Sequence, residues 1–151
     1  MKIFITADHH FNHKNIIKYC NRPFKTVEEM DEFMIKKWNS KVDKNDIVIH
    51  LGDFSFGKKE KIKEIRKRLN GTIILVTGNH DRKIAGDCDF IIVRGNLQIG
   101  NLVLSHRPLT KEEIPKNCKN IHGHIHEKDS YYGINVSVDK TNYEPVEITN
   151  I

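Results

Sequence analysis

Three apolar, β-branched runs, at 2–7, 46–51 and 72–77, each stop abruptly at a polar motif, and a helical pattern separates each run from the next. Such runs, short and bounded by polar residues, read as buried strands. The first helical pattern opens on Thr26 with Glu29 three residues later, a capping-box signature. Val27, Met30, Phe33, Met34, Trp38 and Val42 then recur at helical spacing. The second spans 58–69, with Ile62, Ile65 and Leu69 inward and Asn70-Gly71 as its stop. The first half therefore reads β-α-β-α-β. In open α/β sheets the ligand crevice lies beyond the carboxyl ends of the strands, so the three polar motifs are expected to converge there.

The second half changes character. Short strand patterns at 90–93, 96–99, 102–105, 134–138 and 146–148 follow, with turns such as Gly100-Asn101 between them. No second domain, internal repeat or low-complexity linker interrupts them, so residues 1–151 are expected to form one domain. The fold class expected is α/β: two mixed β-sheets packed face to face as a sandwich flanked by helices, an α-β-β-α arrangement. At 151 residues and 38% hydrophobic, the chain can bury a substantial core. Its net charge of +5 favours anionic partners such as phosphate esters, nucleotides or nucleic acid. Cys20, Cys88 and Cys118 are scattered without a CxxC, which excludes a zinc ribbon and suits thiols in a reducing cytosol. No apolar run approaches membrane-spanning length, and Met1-Lys2-Ile3-Phe4 enters a strand without a signal-peptide layout, so a cytoplasmic location is expected.

Five dispersed motifs carry the chemistry: Asp8-x-His10, Gly52-Asp53, Gly78-Asn79-His80-Asp81, His106, and Gly123-His124-x-His126. They offer imidazole nitrogen, carboxylate oxygen and amide oxygen, the donor set for two divalent cations sharing a bridging carboxylate. Asp8 and His10 are two apart in what reads as an extended stretch, so they point the same way while His9 points opposite. His124 and His126 repeat the pattern, with Ile125 facing away. Asp53 is the natural bridge, Asn79 a neutral oxygen ligand and His106 a further imidazole; the glycines before Asp53, Asn79 and His124 allow close backbone approach. A lone His or Asp at a strand end is ordinarily a cap or a hydrogen-bonding group. Independent structural needs do not place all five motifs at strand ends, and the set as a whole carries the metal reading. His9, His13, His50 and His122 are surplus: His50 reads as a strand residue, His13 and His122 as supporting or substrate-contacting groups.

This pattern of DxH, GD, GNH(D/E), H and GHxH resembles the calcineurin-like metallophosphoesterases, spanning Asp8 to His126. Phe11-Asn12-His13-Lys14-Asn15-Ile16 and Cys20-Asn21-Arg22-Pro23-Phe24 resemble small prokaryotic or phage-type members without a cap domain. The resemblance implies one metal on Asp8, His10, Asp53 and His126 and another on Asp53, Asn79, His106 and His124, with His80 catalytic rather than ligating. Mixed ligands of this kind suit Mn²⁺, Fe²⁺, Co²⁺, Ni²⁺ or Zn²⁺, and the resemblance puts Mn²⁺ first. Asp53 is followed by Phe54-Ser55-Phe56-Gly57, not the Asp-Arg-Gly of Ser/Thr protein phosphatases, which argues against a phosphoprotein substrate.

The chemistry expected is hydrolysis of phosphate esters, diesters favoured, by a hydroxide bridging the two cations. His80 can protonate the leaving oxygen, Asp81 is placed to orient it or to stabilise the turn, and Arg22, Arg82, Arg107 and His13 are candidate substrate contacts. Two alternatives stay open. One is a phosphomonoesterase on the same site; the other is a non-catalytic module binding nucleic acid or protein, suggested by the Lys- and Arg-rich pattern at 58–69.

Overall fold

Strand β1 (Ile3–Thr6) pairs in parallel with β2 (Ile47–His50), and β2 in parallel with β3 (Thr72–Val76), so the three apolar runs lie side by side. The computed structural model describes residues 1–84 and 88–150. β4 (Ile91–Val93) extends this sheet in parallel on one edge, and β9 (Val146–Glu147) closes the other edge antiparallel to β1. The order is β4-β3-β2-β1-β9. A second sheet contains β5 (Leu97–Ile99), β6 (Leu102–Ser105), β7 (Lys119–His122) and β8 (Gly133–Asn135), in that order. There β5 and β6 form an antiparallel hairpin across Gly100-Asn101, and β6, β7 and β8 run parallel. Both sheets are mixed, as expected of the α/β sandwich. β7 is an addition that the apolar pattern does not announce.

Side-chain alternation divides the interior into two layers. Phe4, Val48, Ile73 and Leu75 face the helices, while Ile5, Ala7, Ile49, Leu51 and Val76 pack with Leu104 and Ile121 of the second sheet and with Val136, which directly follows β8. The central strands are buried on both faces, which is why they are apolar at nearly every position. Helix α1 (Ile16–Tyr19) is a single turn. α2 (Val27–Lys41) and α3 (Lys59–Arg68) lay Met30, Met34, Trp38, Ile62 and Ile65 on the five-stranded sheet. The Thr26 hydroxyl accepts from the Glu29 N–H at 3.1 Å, capping α2 as its sequence predicts. Trp38 is fully buried and its indole N–H donates to the Asn70 carbonyl at 3.0 Å; truncating it to alanine costs about 3–5 kcal/mol.

The outer face of the second sheet is covered differently. Asn120 of β7, wholly buried, accepts from the Leu109 N–H and donates to the Val103 carbonyl and the Ser105 hydroxyl, tying the 107–118 segment across that face. At the carboxyl ends of the strands the sheets meet: Ala7 bridges Ser137, and the Val138 N–H donates to the Ala7 carbonyl at 3.0 Å. This junction collects the loops that carry the five motifs. Among the described residues no helix is long and apolar enough to cross a membrane, and no disulfide joins the cysteines.

Candidate metal centre

Asp8, His10, Asp53, His124 and His126 all adopt left-handed backbone, with φ of 60°, 51°, 54°, 71° and 52°. The expectation that Asp8-x-His10 and His124-x-His126 are extended is therefore corrected. Each chain coils as it leaves its strand, and it is this coiling that turns the paired side chains into the site. Asp and His tolerate this region better than other residues, yet each position costs about 1–2 kcal/mol. Interlocked loops hold the strain. The Asp8 N–H donates to the Gly52 carbonyl, His10 N–H to the Asp53 carbonyl and Phe11 N–H to the Phe54 carbonyl, each at 3.0 Å. Gly52, at φ 93°, admits a close approach of these loops: a Cβ there would lie 2.5 Å from the Gly78 nitrogen and 2.7 Å from His106 Nδ1. Gly123 likewise leaves no room, since a Cβ would fall 2.5 Å from Asp8 Oδ2.

The expected ligands gather as two groups, Asp8–His10–His126 and Asp53–His106–His124, the ligand atoms of each group lying within 4.8 Å of one another. Asp53 links them: its Oδ2 is 3.5 Å from His10 Nε2 and 3.4 Å from His106 Nε2. Asn79 joins the second group, its Oδ1 being 3.0 Å from His106 Nε2. Hydrogen bonds on the far sides of the rings fix which nitrogens face inward. His106 Nδ1–H donates to the Leu51 carbonyl at 2.7 Å, and His126 Nδ1–H to Asp139 Oδ2 at 2.9 Å. His106 Nε2 then faces Asn79 Oδ1, Asp53 Oδ2 and His124 Nδ1, a convergence of nitrogen and oxygen donors suited to a cation. Asp8 Oδ1 and His10 Nε2 are buried without a hydrogen-bond partner, while Asp8 Oδ2 accepts from the Ser137 hydroxyl at 2.5 Å and the His124 N–H at 2.7 Å.

The electrostatics carry the same demand. Burial pushes the Asp8 carboxyl up to about 6. Burial opposes ionisation of Asp53 too, yet the His106 hydrogen bond and the nearby imidazoles hold it below the usual carboxylate range. Against its own burial, His126 is lifted to about 10 by Asp139 and its other neighbours. Burial holds His10 and His124 in the neutral form that ligates a metal, and the residues fit two divalent cations sharing Asp53.

The remaining predicted residues divide. His80 stands at the rim, its N–H donating to Asp53 Oδ1 at 3.0 Å and its Nε2 4.0 Å from Asp53 Oδ2. His13 packs flat on Phe56 with ring centroids 4.2 Å apart, and its Nδ1 is 3.4 Å from His10 Nδ1. Arg82 shares a cavity with His80, and exposed Arg107 lines another beside Asn79 and His106. Arg22 is corrected from substrate contact to brace. It is 4% exposed, forks onto Asp139 at 2.9 and 3.0 Å, and donates to the Asp8 and His9 carbonyls at 2.7 and 2.8 Å. No donor is left for a phosphate. Of the two roles expected of Asp81, the hydrogen bonds are those of the turn-stabilising one rather than of an imidazole orienter: it accepts from the Asp53 and Gly78 N–H groups at 2.7 Å and from Phe54 N–H at 2.9 Å. His122 is a buried strand-end residue between the Gly123 carbonyl and Ser130, and His9 and His50 pair at 2.9 Å in the helix-side core. Sequence reasoning missed Asp139 and Ser137. The strand pattern at 134–138 running into Asp139 repeats the rule followed by the other motifs and was the available signal.

The cations of α3 are largely engaged within the chain. Arg66 donates to the carbonyls of Leu69, Gly71 and Asp89, and Arg68 forks onto Glu32 at 2.6 and 2.7 Å. A cavity of about 540 Å³ lies away from the motifs, and its Lys2 and Lys41 are paired with Glu147 and Glu144.

The model of the calcineurin-like phosphoesterase superfamily domain matches residues 1–138. An uncharacterized protein of Methanocaldococcus jannaschii is 42% identical over 97% of this chain and 87% of its own length. The crystal structure of a protein of unknown function from Aquifex aeolicus superposes with a TM-score of 0.78 at 27% identity, covering 99% of this chain and 96% of that one. Pseudomonas putida nuclease MPE shares the fold at a TM-score of 0.58 and 21% identity, over 82% of this chain and 61% of its own.

Proposed function

The chain belongs to the calcineurin-like phosphoesterase superfamily, whose members generally hydrolyse phosphoesters with two metal ions, and on that premise we propose that it is a metal-dependent phosphodiesterase. One observation carries the reading: the acceptors of Asp8, His10, Asn79, His106, His124 and His126 converge around a shared Asp53 carboxylate. Asp8, His10, Asp53 and His126 would hold one divalent ion and Asp53, Asn79, His106 and His124 the other; the ligands suit Mn²⁺, Fe²⁺, Co²⁺, Ni²⁺ or Zn²⁺, and the family resemblance puts Mn²⁺ first. When bound, the ions supply an activated water and fixed positive charge for the phosphoryl oxygens.

The chain's own residues do the rest. His80 extends from the loop pinned by Asp81 and stands over Asp53, where its imidazole can deliver a proton to the departing oxygen. Arg22 and Asp139 fix the Asp8–His10 loop and the His126 ring, so the ligands are oriented before any ion arrives. A diester is favoured by the room on both sides of His80. A cavity of about 410 Å³ bordered by His13 and Lys128 and one of about 220 Å³ bordered by Phe56 and Arg82 both reach that residue. A monoester needs only one.

Hydrolysis of bis(p-nitrophenyl) phosphate and p-nitrophenyl phosphate by Mn²⁺-loaded protein tests this reading. Metal-dependent turnover should favour the diester. Monoesterase activity with an inert diester would overturn the diester assignment, and inertness to both would overturn the enzyme. The binding-module alternative loses support because Arg66 and Arg68 of α3 already bond within the chain.

A further inference from the structure

A file of rings borders the candidate centre. Tyr19 meets His13 edge-on at 6.2 Å between centroids, His13 stacks on Phe56 at 4.2 Å, and Phe56 tilts toward His80 at 5.4 Å. Tyr19 is 72% and Phe56 40% exposed, so both rings beside the centre present surface on which a ligand ring can pack. Phe56 also sits on rigid backbone: its N–H donates to the Phe11 carbonyl at 2.7 Å, and Ser55 bridges Phe11. A ring held still at a rim loses little freedom when a ligand packs on it. The cavity it borders, about 220 Å³, is completed by Ser55, Gly57, Asn79, His80 and Arg82. It thus offers an aromatic wall, an exposed cation and the residue assigned to the leaving oxygen.

We propose that this cavity is a leaving-group subsite for a nucleoside, with the base on Phe56 and the next phosphate of the chain on Arg82. The substrate class is then a nucleotide diester within a strand, not an aliphatic phosphodiester. Stacking on an aromatic face accepts any base, so the subsite confers preference for nucleotides without reading sequence. Arg82 is the group that distinguishes an internal linkage from a terminal one, because only an internal linkage presents a further phosphate. The inference rests on the phosphoesterase reading above.

Calorimetric titration of the Mn²⁺-loaded protein with thymidine 5′-phosphate, thymidine 3′,5′-bisphosphate and 2-deoxyribose 5-phosphate tests it. Thymidine 5′-phosphate should bind roughly tenfold more tightly than the base-free sugar phosphate, the scale of one stacked base. Phe56→Leu should abolish that ratio with sugar-phosphate affinity intact, and Phe56→Trp should retain it. The bisphosphate should gain further, and Arg82→Gln should remove only that gain. Equal affinities in the wild type, a ratio untouched by Phe56→Leu, or no binding at all would overturn the subsite. Equal affinities beside metal-dependent diester hydrolysis would sink the subsite alone. A base preference without any hydrolysis would sink the enzyme and leave the subsite standing.

Discussion

Asp139 and His126 lie 2.9 Å apart, Oδ2 to Nδ1, and the same carboxylate is forked by Arg22 at 2.9 and 3.0 Å. The contact holds the proton of His126 on the outer nitrogen and leaves Nε2 for a cation. Asp139→Asn should weaken metal affinity about 10–100-fold, the usual effect of losing a carboxylate behind a ligating imidazole. Competition with a chelating dye measures it. Unchanged affinity would show that Asp139 only neutralises Arg22.

Asp81 clamps three backbone N–H groups, of Asp53, Phe54 and Gly78, while 2% exposed. Asp81→Asn puts amide hydrogens against one or more of those donors and should destabilise the fold by roughly 2–4 kcal/mol. Urea denaturation of the metal-free protein is the check. Full stability with activity lost would favour the other role open to Asp81, orienting the His80 imidazole.

A third prediction concerns pH. Asp31 of α2 accepts from the Asn12 N–H at 3.1 and 3.3 Å, and burial pushes its carboxyl up to about 7. Ionisation is therefore harder in the folded chain than in the unfolded one, and its contribution falls as pH climbs from the unfolded carboxylate range toward 7. Asp31→Asn stays neutral and keeps an acceptor for Asn12. The variant should gain roughly 1–3 kcal/mol over the wild type at pH 8 that is absent near pH 4. Denaturation curves at both values decide, and an advantage independent of pH would contradict the assignment.

The parallel half of the sandwich was legible because β1, β2 and β3 are buried on both faces and so are apolar throughout. β7 was not. Its central residue is Asn120, whose burial is made tolerable by bonds to Leu109, Val103 and Ser105 from distant segments. The motif residues were readable as a donor set, but the left-handed backbone that aims them was misread as extended, since two-residue spacing alone suggests a strand. Arg22 was misjudged for a related reason: its partner Asp139 is 117 positions away, and nothing local marks a guanidinium as already spent.

His80 contacts Asp53 through its backbone N–H and stands 41% exposed at the rim. His80→Ala should leave both ions bound and slow the chemical step roughly a hundredfold or more. Single-turnover kinetics alongside metal analysis separates the two effects. Loss of an ion in this variant would make His80 a ligand and overturn the division of roles.

The proposed centre turns on Asp53 serving two cations. Elemental analysis of protein dialysed against Mn²⁺ tests it most directly, with Asp53→Asn measured beside the wild type. The wild type should saturate at two equivalents per chain, and the variant should lose affinity at both positions, because each group places a ligand within 3.5 Å of the same Oδ2. Saturation of the wild type at one equivalent or none would contradict a dinuclear centre.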